Sequence, residues 1–330
     1  NMRIEGPFGD HTGYYTLEEE YPFMDVTAIT SKKDPVYLAT VVGKPPLEDK
    51  YMGFATERIF LPLLQTTAPD LIDYYMPENG VFHNLIIGKI KTAYPGHAQQ
   101  MMHAFWGVGQ MSFVKHAIFV NQDAPELTDH EAITEHILNR IDIDEILISK
   151  GVVDALDHSS PKFALGGKLG IDCTGEEVKE LGITLLSDVE LLAKMQEITD
   201  EVTDLKQYYI NTKNPITVIK VKKSRSQKYL FEELKGLLDH IKILVIVDDV
   251  KNDVDNTYML VWRVVNNIDS NRDLYFNGNT IAIDATNKNK LDNFMRRWPD
   301  DVDCTKEVLA SLQERGLIDI DETFQKAFQL

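Results

Sequence analysis

The hydrophobic pattern of this chain changes character along its length. Tyr21 to Ser31 and Asp34 to Val42 read as two β-rich runs joined by the polar pair Lys32-Lys33, which predicts a hairpin ended by the Gly43-Lys44-Pro45-Pro46 turn. From Tyr51 to Leu64 the apolar positions Met52, Ile59, Phe60, Leu63 and Leu64 suit an amphipathic helix, bent or restarted at Pro62. A boundary is expected near Pro77 to Gly80. Beyond it short apolar strands alternate with helices: Asn84 to Ile90 as strand, Gly96 to Gly109 as helix, Lys115 to Asn121 as strand, Asp129 to Arg140 as helix. That alternation predicts an α/β sheet with helices on both faces. Met101, Met102, Phe105 and Trp106 fall at helical spacing and are assigned to the core.

The pattern then repeats. Lys115-His116-Ala117-Ile118-Phe119-Val120-Asn121 aligns with Lys242-Ile243-Leu244-Val245-Ile246-Val247-Asp248, and Ile141-Asp142 with Ile268-Asp269, since 242−115 and 269−142 both give 127. Ile171-Asp172-Cys173-Thr174 recurs as Ile283-Asp284-Ala285-Thr286 at an offset of 112. Three segments in register argue for a duplicated unit. The smaller third offset says that the second copy lacks most of the loop around Asp157 to Lys168. We expect three parts: 1–79, 80–204 as an α/β unit, and 205–330 as its shortened repeat.

Composition narrows the functions available. A formal charge of −18, from 34 basic and 52 acidic residues in 330, argues against nucleic acid or anionic lipid as partner. The basic run Lys220 to Lys228 reads as a solvated loop. No run approaches the ~20 apolar residues of a membrane span, so the chain is not expected to be an integral membrane protein. Two distant cysteines, Cys173 and Cys304, point to a reducing compartment, the cytoplasm by default. No histidine forms a pair at metal-ligand spacing with a nearby acid, so no metal site is expected within the chain. A glycine-rich dinucleotide fingerprint and a P-loop are both missing, which ranks a nucleotide-binding reading last.

The chemistry concentrates in Glu5-Gly6-Pro7-Phe8-Gly9-Asp10-His11-Thr12-Gly13-Tyr14-Tyr15. Neither strand nor helix brings two acids five positions apart onto one face, but a Gly-Pro-Phe-Gly bend can. Two carboxylates in one pocket repel, so one of Glu5 and Asp10 is expected to keep its proton near neutral pH. His11 can assist them, or simply hydrogen-bond to the turn.

This stretch resembles the signature of UbiD-like decarboxylases, carboxy-lyases that use prenylated flavin mononucleotide. The resemblance continues through Ile29 to Asp34, Val41 to Pro46, Glu57-Arg58-Ile59-Phe60-Leu61-Pro62, Gly80 to Asn84, Tyr94 to Ala98, and Ser160-Pro161 through Asp172. It implies non-oxidative loss of CO2 from an aromatic or α,β-unsaturated acid, with quinone-precursor hydroxybenzoates the familiar case. By position, Glu5 is the implied proton donor and Asp10 tunes it. Lys115 corresponds to a lysine at the flavin phosphate, and Leu165 to a lid residue. The resemblance further implies that residues 1–79 are the carboxy-terminal edge of a β-rich flavin-binding domain. The flavin, with a divalent metal and potassium, would be held mainly by an amino-terminal part of the same enzyme, so this piece alone is expected to be inactive. A homo-oligomer is expected. The rival reading is a non-catalytic assembly module built from the duplicated α/β units.

Overall fold

The structure is a computed structural model that describes residues 1–39 and 42–323. At its start β1 (Met2–Glu5) and β2 (Glu19–Pro22) pair antiparallel, with Glu5 opposite Glu19. The hairpin expected over 21–42 does not form. Residues 23–39 contain no strand, and Thr40 and Val41 of the expected second strand lie outside the described residues. Met24, Val26, Ile29, Val36, Tyr37 and Leu38 stand exposed instead. Strand propensity is realised only where an edge or a packing face is present to receive it.

The first unit is α1 (Asp49–Leu64), β3 (Leu71–Tyr75), β4 (Leu85–Ile90), α2 (His97–Trp106), β5 (His116–Asn121), α3 (His130–Leu138), β6 (Leu147–Val152) and β7 (Leu165–Cys173). Pro62 is contained in the last turn of α1, so the expected restart is absent. The second unit is α4 (Asp188–Ile198), β8 (Val202–Tyr208), β9 (Ile216–Val221), α5 (Gln227–Glu233), β10 (Ile243–Asp248), α6 (Thr257–Asn267), β11 (Leu274–Asn277) and β12 (Thr280–Asp284). A short α7 (Lys306–Glu314) follows.

The repeat read from the sequence is a repeat of topology. One sheet has the order β3-β4-β5-β7-β6 and the other β8-β9-β10-β12-β11, each with a parallel centre and antiparallel edges. Even the irregularities correspond: β3 breaks register between Leu71 and Asp73, β8 between Val202 and Asp204, and 202−71 and 204−73 both give 131. The difference lies where the offsets placed it. β6 and β7 are joined by residues 153–164, β11 and β12 only by Gly278 and Asn279.

Layering follows from the apolar faces. Ile133 and Ile137 of α3 and Leu260 of α6 pack in one buried cluster with Val120 of β5 and Val245 and Val247 of β10, so the two sheets share a central helical layer. Met101, Met102 and Phe105 of α2 cover the outer face of the first sheet, as their spacing predicts. Leu191 and Met195 of α4, with Leu230 and Phe231 of α5, cover that of the second. The basic run differs from its expectation: Lys223 donates to Thr286 Oγ1 (2.9 Å) and Asp292 Oδ2 (2.6 Å), and Arg225 binds Glu201 and Glu233. These cations tie the second sheet's loops together.

Candidate active site

The acid motif is a turn docked on α6. Thr16 N donates to Phe8 O (2.8 Å), Phe8 N to Thr16 Oγ1 (3.1 Å), and Gly13 N to Asp10 O (3.0 Å), which folds residues 8–16 back on themselves. Gly13 has φ +82, and a Cβ there would lie 2.7 Å from the Trp262 ring, so only glycine fits. Trp262 Nε1 donates to Thr12 O (2.8 Å). Tyr14 is buried, stacked on Trp262 at 5.1 Å, and its hydroxyl donates to Asn267 Oδ1 (2.7 Å) while accepting from Arg263 Nη1 (2.6 Å). Arg263 in turn grips Asp301 with both terminal nitrogens (3.1 and 3.0 Å).

The turn brings Asp10 to His11 rather than to Glu5. Asp10 Oδ1 accepts from His11 N (2.7 Å) and lies 3.0 Å from His11 Nδ1. The His11 hydrogen bond holds the Asp10 carboxyl below the usual carboxylate range, against burial. Burial works against a charged His11, but the bond to Asp10 and the charges of Asp10, Asp154 and Asp49 outweigh it and raise its pKa. Glu5 is exposed on β1. The expected proton-holding carboxylate pair is therefore replaced: Asp10 is ionised and its partner is an imidazole. An acid and a base that hydrogen-bond favour the charged form of both, whereas two acids would not.

His11 lines a cavity of about 380 Å³ between the motif, α1 and residues 75–82. Its walls include Phe54, Tyr75 and Phe82, with Asp49 and Glu57 from α1. Val81 and Phe82 sit at φ 42 and 59, strained for non-glycine residues, which sets Val81 against Met259 and Trp262 of α6 and the Phe82 ring against α1. Gly53 makes that approach feasible, since a Cβ there would overlap the Phe82 ring. The carboxyl that does keep a proton near neutral pH is Glu57. Burial pushes it up to about 7, with Met76 N–H the main opposing influence. The sequence offered Glu57 as part of a motif but gave no signal of its burial.

Between its ordinary value near 4.5 and about 7, folded Glu57 holds a proton that the unfolded chain has released. Its favourable contribution is complete below 4.5 and lost as pH rises through 7. Glu57→Gln should therefore gain stability relative to wild type between pH 5 and pH 8, by about 1–2 kcal/mol after discounting for solvent screening. Paired thermal melts at both pH values measure it, and a pH-independent difference would refute the assignment.

Lys115 lies away from this cavity. Its buried ammonium donates to Asp157 Oδ1 (2.7 Å), Ser159 Oγ (2.8 Å) and the carbonyls of Val265 and Asn266 (3.3 and 3.4 Å). Leu165 is the first residue of β7, paired with Val152 and half-buried, so it closes the 153–164 loop onto the sheet. That loop connects the two regions: Asp154 acts on His11, Asp157 on Lys115. Among the described residues no group of three or more His, Cys, Asp or Glu is placed to hold a metal ion, and no helix is long and apolar enough to cross a membrane.

The Asp10–His11 pair thus stands beside an aromatic-walled cavity on a duplicated α/β scaffold. The chain belongs to the UbiD family: the model of the 3-octaprenyl-4-hydroxybenzoate carboxy-lyase C-terminal domain matches residues 50–173 and 182–297, and that of the Rift-related domain matches residues 1–45. A protein of Helicobacter pylori is 57% identical over 330 residues, all of this chain and 53% of the relative. One of Aquifex aeolicus is 45% identical over 203 residues, 61% of this chain and 41% of the relative. The chain thus spans about half the length of the curated relatives it matches. Among solved structures, the UbiD-class enzyme HmfF from Pelotomaculum thermopropionicum in complex with FMN is 25% identical, with a TM-score of 0.45, covering 52% of this chain and 38% of that one.

Proposed function

We propose that the full-length protein is a non-oxidative decarboxylase of an aromatic or α,β-unsaturated acid, and that the cavity beside His11 receives the substrate. The observation that carries this is His11, hydrogen-bonded to Asp10 within the family's acid motif and itself lining an aromatic-walled cavity. Phe54 and Phe82 can hold a flat acid and exclude water. Loss of CO2 leaves a carbon that must take up one proton. Asp10 favours the protonated form of His11 against burial, and in that form the imidazolium can attract the carboxylate and then hold a proton at that carbon. Glu5 is the donor implied by the family motif, and its place on the exposed β1 leaves that assignment resting on the resemblance.

The cofactor reading is a flavin, prenylated FMN, which when bound supplies the electron sink for carboxylate loss. Lys115 is buried and already neutralised by Asp157, so its part at the flavin phosphate rests on the family resemblance. The Asp157 carboxylate accepts from Lys115 Nζ, Ser159 Oγ and Ser160 N, and Arg296 holds the same turn through the carbonyls of Asp157 and Ser160. Divalent metal, potassium, cytoplasmic location and homo-oligomeric assembly are parts of the same proposal.

A second reading, assembly, is favoured by one feature. Tyr51, Met52, Ile59, Phe60 and Leu63 of α1 are all exposed, an apolar face suited to another protein surface. The two readings are separated by assaying CO2 release from the full-length protein reconstituted with prenylated FMN. Release from aromatic or unsaturated acids supports the enzyme, and its absence across the series, with the protein folded and flavin bound, leaves assembly.

A further inference from the structure

A second cavity, of about 610 Å³, opens in the second unit where β9 ends at Val221, β10 ends at Asp248 and the chain leaves β12. These three strands are parallel, so the cavity lies outside their carboxyl ends, the place where open α/β sheets bind small molecules. Its volume is within the range of about 300–1,000 Å³ usual for ligand sites. Its lining is unlike that of the cavity beside His11. Val250 is the only apolar residue among the described residues that line it, and the rest are ammonium, guanidinium, carboxylate, amide and hydroxyl side chains.

The duplication shows which of these groups the shared fold does not require. At the offsets that align the two units, Lys223 corresponds to Thr92 (223−92 gives 131), Lys251 to Ala124 and Arg263 to His136 (both 127), and Asn287 to Gly175 (112). Lys222, opposite Lys91, is the cation that both units carry. The second unit has therefore gained cations here, in a chain whose formal charge is −18. Two of them are already paired: Lys223 donates to Asp292 Oδ2 (2.6 Å), and Arg263, 2% exposed, is held by Asp301 (3.0 Å). The other two are available. Lys222 is exposed with no ion-pair partner among the described residues, and exposed Lys251 comes no nearer than 4.0 Å to Asp301. Acceptors remain as well, since Asp248 uses only Oδ2, on Asn287 N (2.8 Å), and no side-chain bond engages Asp249 among the described residues.

We infer that this cavity is a binding site for a sugar phosphate, whose phosphate is taken by Lys222 and Lys251 and whose hydroxyls are taken by Asp248 and Asp249. Each half of that ligand answers one half of the lining. A bare phosphate would meet two carboxylates with no hydroxyl to offer them, and a neutral sugar would leave both ammonium groups without a counter-ion. A nucleotide would find no aromatic or broad apolar wall for its base, and a flat aromatic acid would find none for its ring. The site is separate from the cavity beside His11 and does not depend on the reaction proposed there.

The test is calorimetric titration of the full-length protein at pH 8 and low salt with ribose 5-phosphate, glucose 6-phosphate, ribose and inorganic phosphate. At least one of the two sugar phosphates should bind with a Kd of about 1 mM or tighter, about tenfold or more tighter than inorganic phosphate, with ribose weaker still. The double substitution Lys222→Ala and Lys251→Ala should weaken that binding by about tenfold or more through loss of the charge-assisted contacts. Both side chains are exposed, so the variant should keep the wild-type melting temperature without ligand. Lys228→Ala, at an exposed lysine that does not line the cavity, should leave the affinity unchanged. Asp249→Asn should weaken the sugar phosphate and leave inorganic phosphate as tight or tighter, because it removes a hydroxyl acceptor and a negative charge together. Failure of both sugar phosphates to bind overturns the inference. So does inorganic phosphate binding as tightly as they do, which would mean a plain anion site, or an equal loss in Lys228→Ala, which would mean general surface charge.

Discussion

Asp10→Asn in the full-length protein is expected to lower CO2 release by about 10²–10⁴-fold, the range for loss of a positioned proton-handling group. The substitution keeps the shape of the side chain and removes its charge. Asp10 both hydrogen-bonds to His11 and raises its pKa, so the loss should appear as a shift in protonation as well as a loss of rate. Burial then acts on His11 with less opposition, and its titration midpoint, followed by NMR, should fall in Asp10→Asn. The folded state should be little affected, because the pair is only partly buried and such pairs contribute about 0–1 kcal/mol. Glu5→Gln provides the comparison: a large loss there with His11 unmoved makes Glu5 the donor and Asp10 a positioning residue. Full turnover in Asp10→Asn, with an unmoved His11 midpoint, would remove the pair from the mechanism.

How far the sequence could be read depends on the range of the interactions involved. The duplication was legible because the central strands β5 and β10 are buried on both faces, which preserves apolar runs that align by eye, and because Ile171-Asp172 and Ile283-Asp284 both end in the same local device. Asp172 accepts from Thr174 N and Oγ1, and Asp284 from Thr286 N and Oγ1. The missing loop of the second copy was legible as a change of offset. Residues 23–39 do not form the expected strands, since β-rich composition reports a tendency to pair and says nothing about whether a partner strand is present. At the site, the sequence placed Asp10 and His11 side by side but did not reveal that the carboxylate hydrogen-bonds to the imidazole. A turn can direct a carboxylate toward either of two nearby groups, and composition does not reveal which. The Tyr14 anchor was invisible because it depends on segments far along the chain, meeting Asn267 and Arg263 across some 250 positions, and Glu57 because its burial depends on residues 73–76 folding back onto α1.

That anchor predicts the largest loss of stability. Residues 205–330 were expected to be a degenerate repeat that packs or mediates assembly, yet α6 supplies Trp262, Arg263 and Asn267 to the motif. The Arg263–Asp301 pair is buried on both sides, and burial alone would raise the pKa of Asp301; the charge and hydrogen bonds of Arg263 reverse this and lower it. Arg263→Met in the full-length protein should therefore destabilise it by about 3–5 kcal/mol at pH 7, because an ionised carboxylate is left in a site that Lys44 (3.7 Å) and Lys251 (4.0 Å) only partly compensate. A carboxyl whose folded pKa is depressed contributes stability above its unfolded value and loses it as pH falls. The wild-type advantage over Arg263→Met should accordingly shrink as pH drops from 7 toward 4, where Asp301 can take up a proton. Adding Asp301→Leu to Arg263→Met should recover most of the loss at pH 7, since the uncompensated charge goes with it. Chemical denaturation of the single and double variants at both pH values reads all three expectations. A pH-independent deficit that the second substitution does not relieve would mean that Arg263 holds the motif through its contact with the Tyr14 hydroxyl and through packing, with the ion pair contributing little.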